Sequence, residues 1–311
     1  MEWNQLHSFR VTAQHQNISK AAQELYVTQP SLSQTIRRLE QELGYPLFER
    51  EGRHIRLNES GRVLLEAVVR MEDMLEGARL RMDELNGREH PEVSIFIGCA
   101  SMLLPELLKY LRRRSPHVQY RIRQWNANAG LLDKDIRILA QPDLEKERIA
   151  DKEKVELLMT ERILLALPSG HPLLAKEHIL LEDLAQEEFI SLNENWSLGR
   201  TIRQEMNRMG FEPNVTMWVD NPNLMRELLG AHMGVAFVPA VTWHSFAGSG
   251  VVMCRVEGCD IRRKVYLQYP AASYLTREKR KCIEDIREFF RDKISDYAIT
   301  SNGQGSDEIM T

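Results

Sequence analysis

The chain has 311 residues and a mass of 36.1 kDa, more than one domain usually holds, so two or three compact units are expected. With 43% hydrophobic and 28% charged residues, and only 17 Gly and 12 Pro, the composition excludes fibrous and disordered classes. The net charge of -4 hides a local asymmetry: residues 1–62 carry eight Lys or Arg against seven Asp or Glu, and five of those cations, Arg37, Arg38, Arg50, Arg53 and Arg56, lie close together.

The opening MEWNQLHSFRVTAQHQ has neither an apolar run nor a basic leader, and no later stretch approaches the roughly 18 apolar residues of a membrane span. A cytoplasmic protein without a membrane partner is expected. Cys99, Cys254, Cys259 and Cys282 show no C-x-x-C spacing, so they are read as small buried hydrophobes and not as a disulfide framework.

In chain order, Trp3, Leu6, Phe9, Val11 and Ala13 lie mostly on one side of a first helix. Ser19 is placed to cap a second, short helix, whose Ala21, Ala22 and Leu25 form a small apolar face. Thr28 caps a third, with Pro30 in its first turn, where a missing N–H costs no helical bond. Leu32, Ile36, Leu39 and Leu43 give this third helix one buried stripe, and Gly44 offers a left-handed stop. The opposite side carries Pro30, Gln34, Arg37, Arg38 and Gln41, flanked by Gln29 and Ser33. The major groove of DNA admits an α-helix, and Gln, Ser and Arg side chains read its base edges or hold its phosphates. Next, LFEREGRHIRLN reads as a hairpin with Arg50 and Arg53 near a Gly52 turn, the basic wing of a winged helix-turn-helix.

The run SKAAQELYVTQPSLSQTIRRLEQELGYPLFER, followed by RHIRLNESGR, resembles the DNA-binding domain of LysR-type transcriptional regulators. That resemblance implies that Gln29, Pro30, Ser31, Ser33 and Gln34 sit at the groove and that Arg50 and Arg53 contact the DNA backbone; position 34, often basic in the family, is Gln here. With Ser19, Thr28 and Arg37 these form the expected DNA-binding set.

From residue 64, Leu64, Val68, Met71, Leu75, Ala78, Met82 and Leu85 alternate in spacings of four and three, the seam of a left-handed coiled coil between two chains. Two paired readers would recognise two half-sites, an interrupted palindrome in promoter DNA. The helix is expected to stop near Asn86-Gly87, and 87–91 is the clearest boundary.

Beyond Pro91, strand-like and helix-like segments alternate: VSIFIG, PELLKYLRRR, VQYRIRQW, DIRIL, and on to MGVAFVP and KVYLQYP. SGHPLL, GFEPNV and MGVAFVP resemble the LysR-type effector-binding domain, itself similar to periplasmic binding proteins. The fold class is therefore a multidomain α+β chain. A winged helix-turn-helix spans 1–58, a coiled-coil linker helix 59–87, and a two-lobed α/β domain 91–300. Lobe I comprises about 91–162 and 266–300, lobe II about 163–265, and a disordered tail takes 301–311. The chain departs from the family in having about nine residues between VQYRIRQW and DIRIL, a short loop from Gly98 to Pro105, and His232 where glycine is usual before MGV.

The resemblance implies a small-molecule effector touched by Ser101, with Met102 beside it and Asn126, Asn128, Asn195, Trp196 and Ser197 facing the same cleft. It also implies a homotetramer and contact with RNA polymerase. The nine histidines lack metal-ligand spacing, and no phosphate loop or nucleophile elbow occurs, so no enzyme, metal or cofactor is expected. A DNA-binding regulator modulated by an effector is the leading expectation. The alternatives are a redox-responsive regulator switching through Cys254 and Cys259, or a small-molecule binding protein whose N-terminal domain contacts other proteins.

Overall fold

The structure, a computed structural model, describes residues 1–51, 54–88, 92–124, 136–140, 153–193, 196–248, 250–271 and 274–301. The chain divides into two compact units, Met1–Arg88 with Ala272–Tyr274, and Glu89–Ala271 with Leu275–Thr311.

The first unit contains α1 (Trp3–His15), α2 (Ile18–Glu24), α3 (Gln29–Leu43), a hairpin of β1 (Phe48–Glu51) and β2 (His54–Leu57), and the long α4 (Glu59–Leu85). Its core joins Leu6, Phe9, Ala21, Ala22, Leu32, Ile36, Leu39, Leu47 and Val68. The small Ala21 and Ala22 let α2 lie close to α1 and α3. Trp3 departs from its expected inward position: in the first turn of α1, it is 46% exposed.

Ser19 does not cap α2. The helix begins two residues earlier, where Asn17 Oδ1 accepts from the Lys20 N–H at 3.1 Å, and an amide there leaves Ser19 inside the first turn. For α3 the local signals hold: Thr28 Oγ1 accepts from the Ser31 N–H at 3.4 Å, and Gly44 closes the helix at φ 79°. Leu32, Ile36 and Leu39 are buried, contributing roughly 1.5–3 kcal/mol each. Asn58 starts α4, its Oδ1 accepting from the Gly61 N–H at 2.8 Å while its Nδ2 donates to the Pro46 carbonyl at 2.9 Å.

The second unit holds β3 (Glu92–Ile97), α5 (Leu104–Arg114), β4 (Gln119–Gln124), β5 (Ile136–Ala140), β6 (Glu153–Pro168), β7 (Glu188–Leu192), α6 (Ser197–Arg208), β8 (Asn214–Val219), α7 (Pro222–Gly230), β9 (Ala236–Pro239), β10 (Val251–Cys254), β11 (Arg262–Pro270) and α8 (Arg277–Ser301). One sheet runs β10-β6-β11-β5-β3-β4, with β9 also on β6; β3 pairs in parallel with β4 and β5, and β11 is antiparallel to β5 and β6. All five residues of β5, IRILA, are buried, as a central strand covered on both faces requires.

Two large hydrophobic cores divide this unit, with a small third cluster of Phe96 and Leu139 on the sheet. The first gathers Ile95, Ile97, Leu107, Leu111, Ile136, Ile138, Ile286 and Phe290 from the sheet and from α5 and α8. The second gathers Leu165, Leu167, Phe189, Leu198, Met206, Val238 and Phe246. Strand β6 belongs to both, since Glu153–Arg162 pairs with β11 and Ile163–Pro168 pairs with β9 and β10. At the junction, Glu161 of β6 stands opposite Arg263 of β11, whose Nε donates to Glu161 Oε1 at 2.8 Å. The same carboxylate accepts the N–H groups of Val241 at 3.1 Å and Thr242 at 2.8 Å, and the Thr242 hydroxyl at 2.9 Å. His232, where glycine was expected by resemblance, does adopt a positive φ of 60°. The helix α8 includes Ser301, the first residue assigned to a disordered tail; the rest of that tail lies outside the described residues.

Candidate functional site

The face of α3 turned from the core is the first candidate. Gln29, Pro30, Ser31, Gln34, Arg37, Arg38 and Gln41 are all exposed, and Ser33 is half-buried at its flank. Arg37 and Arg38 make no ion pair among the described residues, so two cations remain free beside amides and hydroxyls. Ser19 reaches this face from α2, its Oγ donating to Gln29 Oε1 at 3.3 Å. The wing pairs Phe48 with Leu57 through to Glu51 with His54, and Phe9 and Phe48 hold it to the core with ring centroids 5.6 Å apart. Arg50 lies in β1 opposite Ile55; its side chain, and Arg53 altogether, fall outside the described residues.

The expected pairing seam on α4 splits into two parts. Val68 is buried in its own unit's core, and Leu64 is half-buried against it, which withdraws both from a seam between chains. Periodicity alone does not say which turns of a stripe face home. Farther along, Met71, Leu75, Ala78, Met82 and Leu85 are exposed, together with Met74, which is 71% exposed.

Around the second unit's expected cleft, Ala100 takes a left-handed φ of 58° and Ser101 opens a short 3-10 turn, Ser101–Leu103, leading into α5. Ser101 is half-buried, and its hydroxyl has no hydrogen-bond partner among the described residues. Met102 follows β3 of the first core yet packs against the second core, as does Trp196. Ser197 begins α6 and is buried, its carbonyl accepting from the Thr201 hydroxyl at 3.0 Å. Gly199 in the same turn has no room for a Cβ, which would stand 2.6 Å from the Leu192 carbonyl oxygen. Asn126, Asn128 and Asn195 lie outside the described residues, as does the stretch of about nine residues before DIRIL.

The family model described as the bacterial regulatory helix-turn-helix protein, lysR family, matches residues 3–62, and the LysR substrate binding domain matches residues 87–291. The chain belongs to the LysR family of transcriptional regulators. The HTH-type transcriptional regulator AlsR of Bacillus subtilis (strain 168) is 30% identical over 248 residues, covering 77% of this chain and 81% of AlsR. An uncharacterized HTH-type regulator of the same bacterium, YybE, is 29% identical over 286 residues, covering 89% of this chain and 94% of YybE. In fold, this LysR-family chain is similar to a full-length OxyR variant from Pseudomonas aeruginosa, with a TM-score of 0.63, 21% identity and coverage of 94% and 95%. It is also similar to full-length CbnR complexed with its target DNA, with a TM-score of 0.51, 21% identity and coverage of 93% and 100%.

In this LysR-family regulator the four thiols are free and partly or wholly withdrawn from solvent. Cys254 and Cys259 are free and half-buried, and burial pushes both up to about 11, with Asp260 adding to the rise at Cys259. Burial likewise pushes Cys282 up to about 12. Among the described residues no cluster of three His, Cys, Asp or Glu could hold a metal ion, and no helix is long and apolar enough to cross a membrane. Sequence reasoning passed over Tyr26, which is 97% exposed in the turn before α3, and the Glu161–Arg263 pair.

Proposed function

We propose that this LysR-family regulator reads two half-sites of promoter DNA with paired copies of α3. An effector bound between the lobes of the second unit changes the spacing of the two readers and hence DNA bending and contact with RNA polymerase. The observation that carries the reading is the division of α3 itself: Leu32, Ile36 and Leu39 are buried while Gln29, Gln34, Arg37 and Arg38 are exposed. A fold needs the first face; the second face has the donors and acceptors that a major groove offers partners for. The exposed stripe Met71, Leu75, Ala78, Met82 and Leu85 supports pairing through α4, and assembly of two such pairs as a tetramer follows the family's expected form. Ser101, whose hydroxyl has no partner among the described residues and which opens the turn leading into α5, is the first candidate for holding an effector carboxylate.

Binding measured by gel shift against a selected duplex and a scrambled one tests this. Gln29→Ala and Ser33→Ala should change which sequences are preferred, by about 1–3 kcal/mol for each lost base contact. Arg50→Ala should weaken all sequences alike and flatten the salt dependence by about one in log–log slope. If the two α3 substitutions left sequence preference untouched, α3 would not be the reader. The redox alternative is disfavoured by the raised thiols of Cys254 and Cys259.

A further inference from the structure

The turn between α2 and α3 is closed by two backbone bonds, from the Tyr26 N–H to the Gln23 carbonyl at 3.2 Å and from the Val27 N–H to the Ala22 carbonyl at 3.0 Å. This wraps the end of α2 around one residue in the left-handed region, Tyr26, with φ 54°. That position ordinarily goes to glycine, because a Cβ there crowds the neighbouring carbonyl. The chain uses glycine for the equivalent task at the end of α3, where Gly44 has φ 79°. A bulky residue in this conformation is a steric outlier.

Nothing in the fold accounts for the choice. The Tyr26 side chain is 97% exposed and meets neither a hydrogen-bond partner nor another ring among the described residues. A strained backbone acts against stability and an aromatic ring left wholly in water offsets none of that cost, and such strain gathers at functional positions. Tyr26 also opens an unbroken exposed run, residues 26–31, that leads through the Thr28 cap onto the reading face of α3. In a helix-turn-helix the N-terminal residues of the reader enter the major groove, so the segment just ahead of them meets the sugar–phosphate strand bordering that groove. Tyrosine is among the side chains that hydrogen-bond phosphate oxygens there.

We propose that Tyr26 is a DNA-backbone contact, its phenol O–H donating to a phosphate oxygen beside the groove entered by α3 and its ring covering the adjoining deoxyribose. The inference rests on α3 being the reader. A neutral donor carries no base information and releases no counterion, so its contribution is independent of both sequence and salt.

The test uses the full-length chain, a duplex selected from a random pool and a scrambled duplex, with anisotropy titrations across a salt series. Tyr26→Phe should weaken both duplexes by about 3- to 10-fold. Tyr26→Gly should weaken them at least as much. The log–log salt slope should not change, in contrast to Arg50→Ala. Because glycine accepts the turn's φ without strain, Tyr26→Gly should unfold thermally no earlier than the wild type, which separates lost contact from lost fold. Wild-type affinity in both variants would overturn the proposal, as would a change confined to sequence preference. Loss of transcription with unchanged DNA binding would also overturn it, in favour of a protein partner at this turn. Gln29→Ala in the same series separates the two readings. If Gln29→Ala alters preference and the Tyr26 variants are silent, only the Tyr26 contact fails; if all are silent, the reader assignment fails as well.

Discussion

Arg263 Nε and Glu161 Oε1 lie 2.8 Å apart with side chains 3% and 0% exposed, an ion pair held entirely inside the protein on neighbouring strands. Four donors reach the Glu161 carboxylate, namely the Val241 and Thr242 N–H groups, the Thr242 hydroxyl and Arg263 Nε, while Arg263 Nη2 donates to that hydroxyl. Charges so enclosed bring little net stability together, but removing one strands the other. Arg263→Met should therefore cost about 3–5 kcal/mol, whereas Thr242→Val, which leaves the charges paired, should cost about 1–3 kcal/mol. Urea unfolding checks both; a wild-type midpoint for Arg263→Met would mean that the carboxylate is satisfied without the guanidinium.

Gly61 is a packing requirement of the first unit. A Cβ at this position would stand 2.3 Å from the Leu47 carbonyl oxygen and 2.6 Å from Leu57 Cδ1, so Gly61→Ala must push α4 away from the wing. The expected loss is about 1–3 kcal/mol, read from thermal or denaturant unfolding.

The exposed part of α4 should govern self-association. Leu75 is 57% exposed, so Leu75→Glu removes apolar contact between chains at little cost to the single chain. Sedimentation should show pairing weakened by about tenfold or more, with far-UV circular dichroism unchanged. Val68→Glu, placed in the core, should instead unfold the unit, and a soluble folded Val68→Glu chain would contradict the packing described for it.

Acid titration offers a further check. Hydrogen bonding by Arg287, and by Tyr269, holds the Glu156 carboxyl below the ordinary carboxylate range. Its stabilising share is therefore complete above that range and lost as pH falls through the lowered folded value. The unfolding-midpoint difference between wild type and Glu156→Gln should be widest near neutral pH and vanish in acid. The effect is modest because the pair is about one-third exposed and screened by solvent. Asp285 works in the opposite sense, since burial raises its carboxyl, so the comparison must use the single variant and not the whole acid curve.

Cysteine chemistry should be slow. With Cys254 and Cys259 pushed up to about 11, thiolate at neutral pH falls about a hundredfold below that of an ordinary cysteine. Thiol-reactive probes should modify the folded chain far more slowly than the urea-unfolded one, and peroxide should leave DNA affinity unchanged. Rapid formation of a Cys254–Cys259 disulfide would revive the redox alternative.

What could be read from the amino-acid order was what is decided locally. Thr28, Pro30 and Gly44 act within a turn or two of themselves, and the Leu32, Ile36, Leu39 stripe repeats at the helical period, so α3 and its outer face were legible. The family motifs carried the second unit. Capping of α2 was less clear, because Asn17 and Ser19 are both able caps and the choice depends on where the chain enters. Val68 looked like a seam residue because a heptad is blind to the partner it faces. Glu161 and Arg263 stand 102 positions apart, beyond any local pattern, and the strain at Tyr26 exists only once the turn is closed.

Strand β6 is one unbroken ribbon of sixteen residues passing from the first core to the second. Such a ribbon resists stretching, while its twist varies widely among folded sheets. The enclosed Glu161–Arg263 pair stands near the middle of this strand, where it passes from one core to the other. If the proposed effector turns one lobe against the other, torsion of β6 is the deformation that such a continuous strand admits with least change of length, and the motion would wring the domain rather than shut it like jaws.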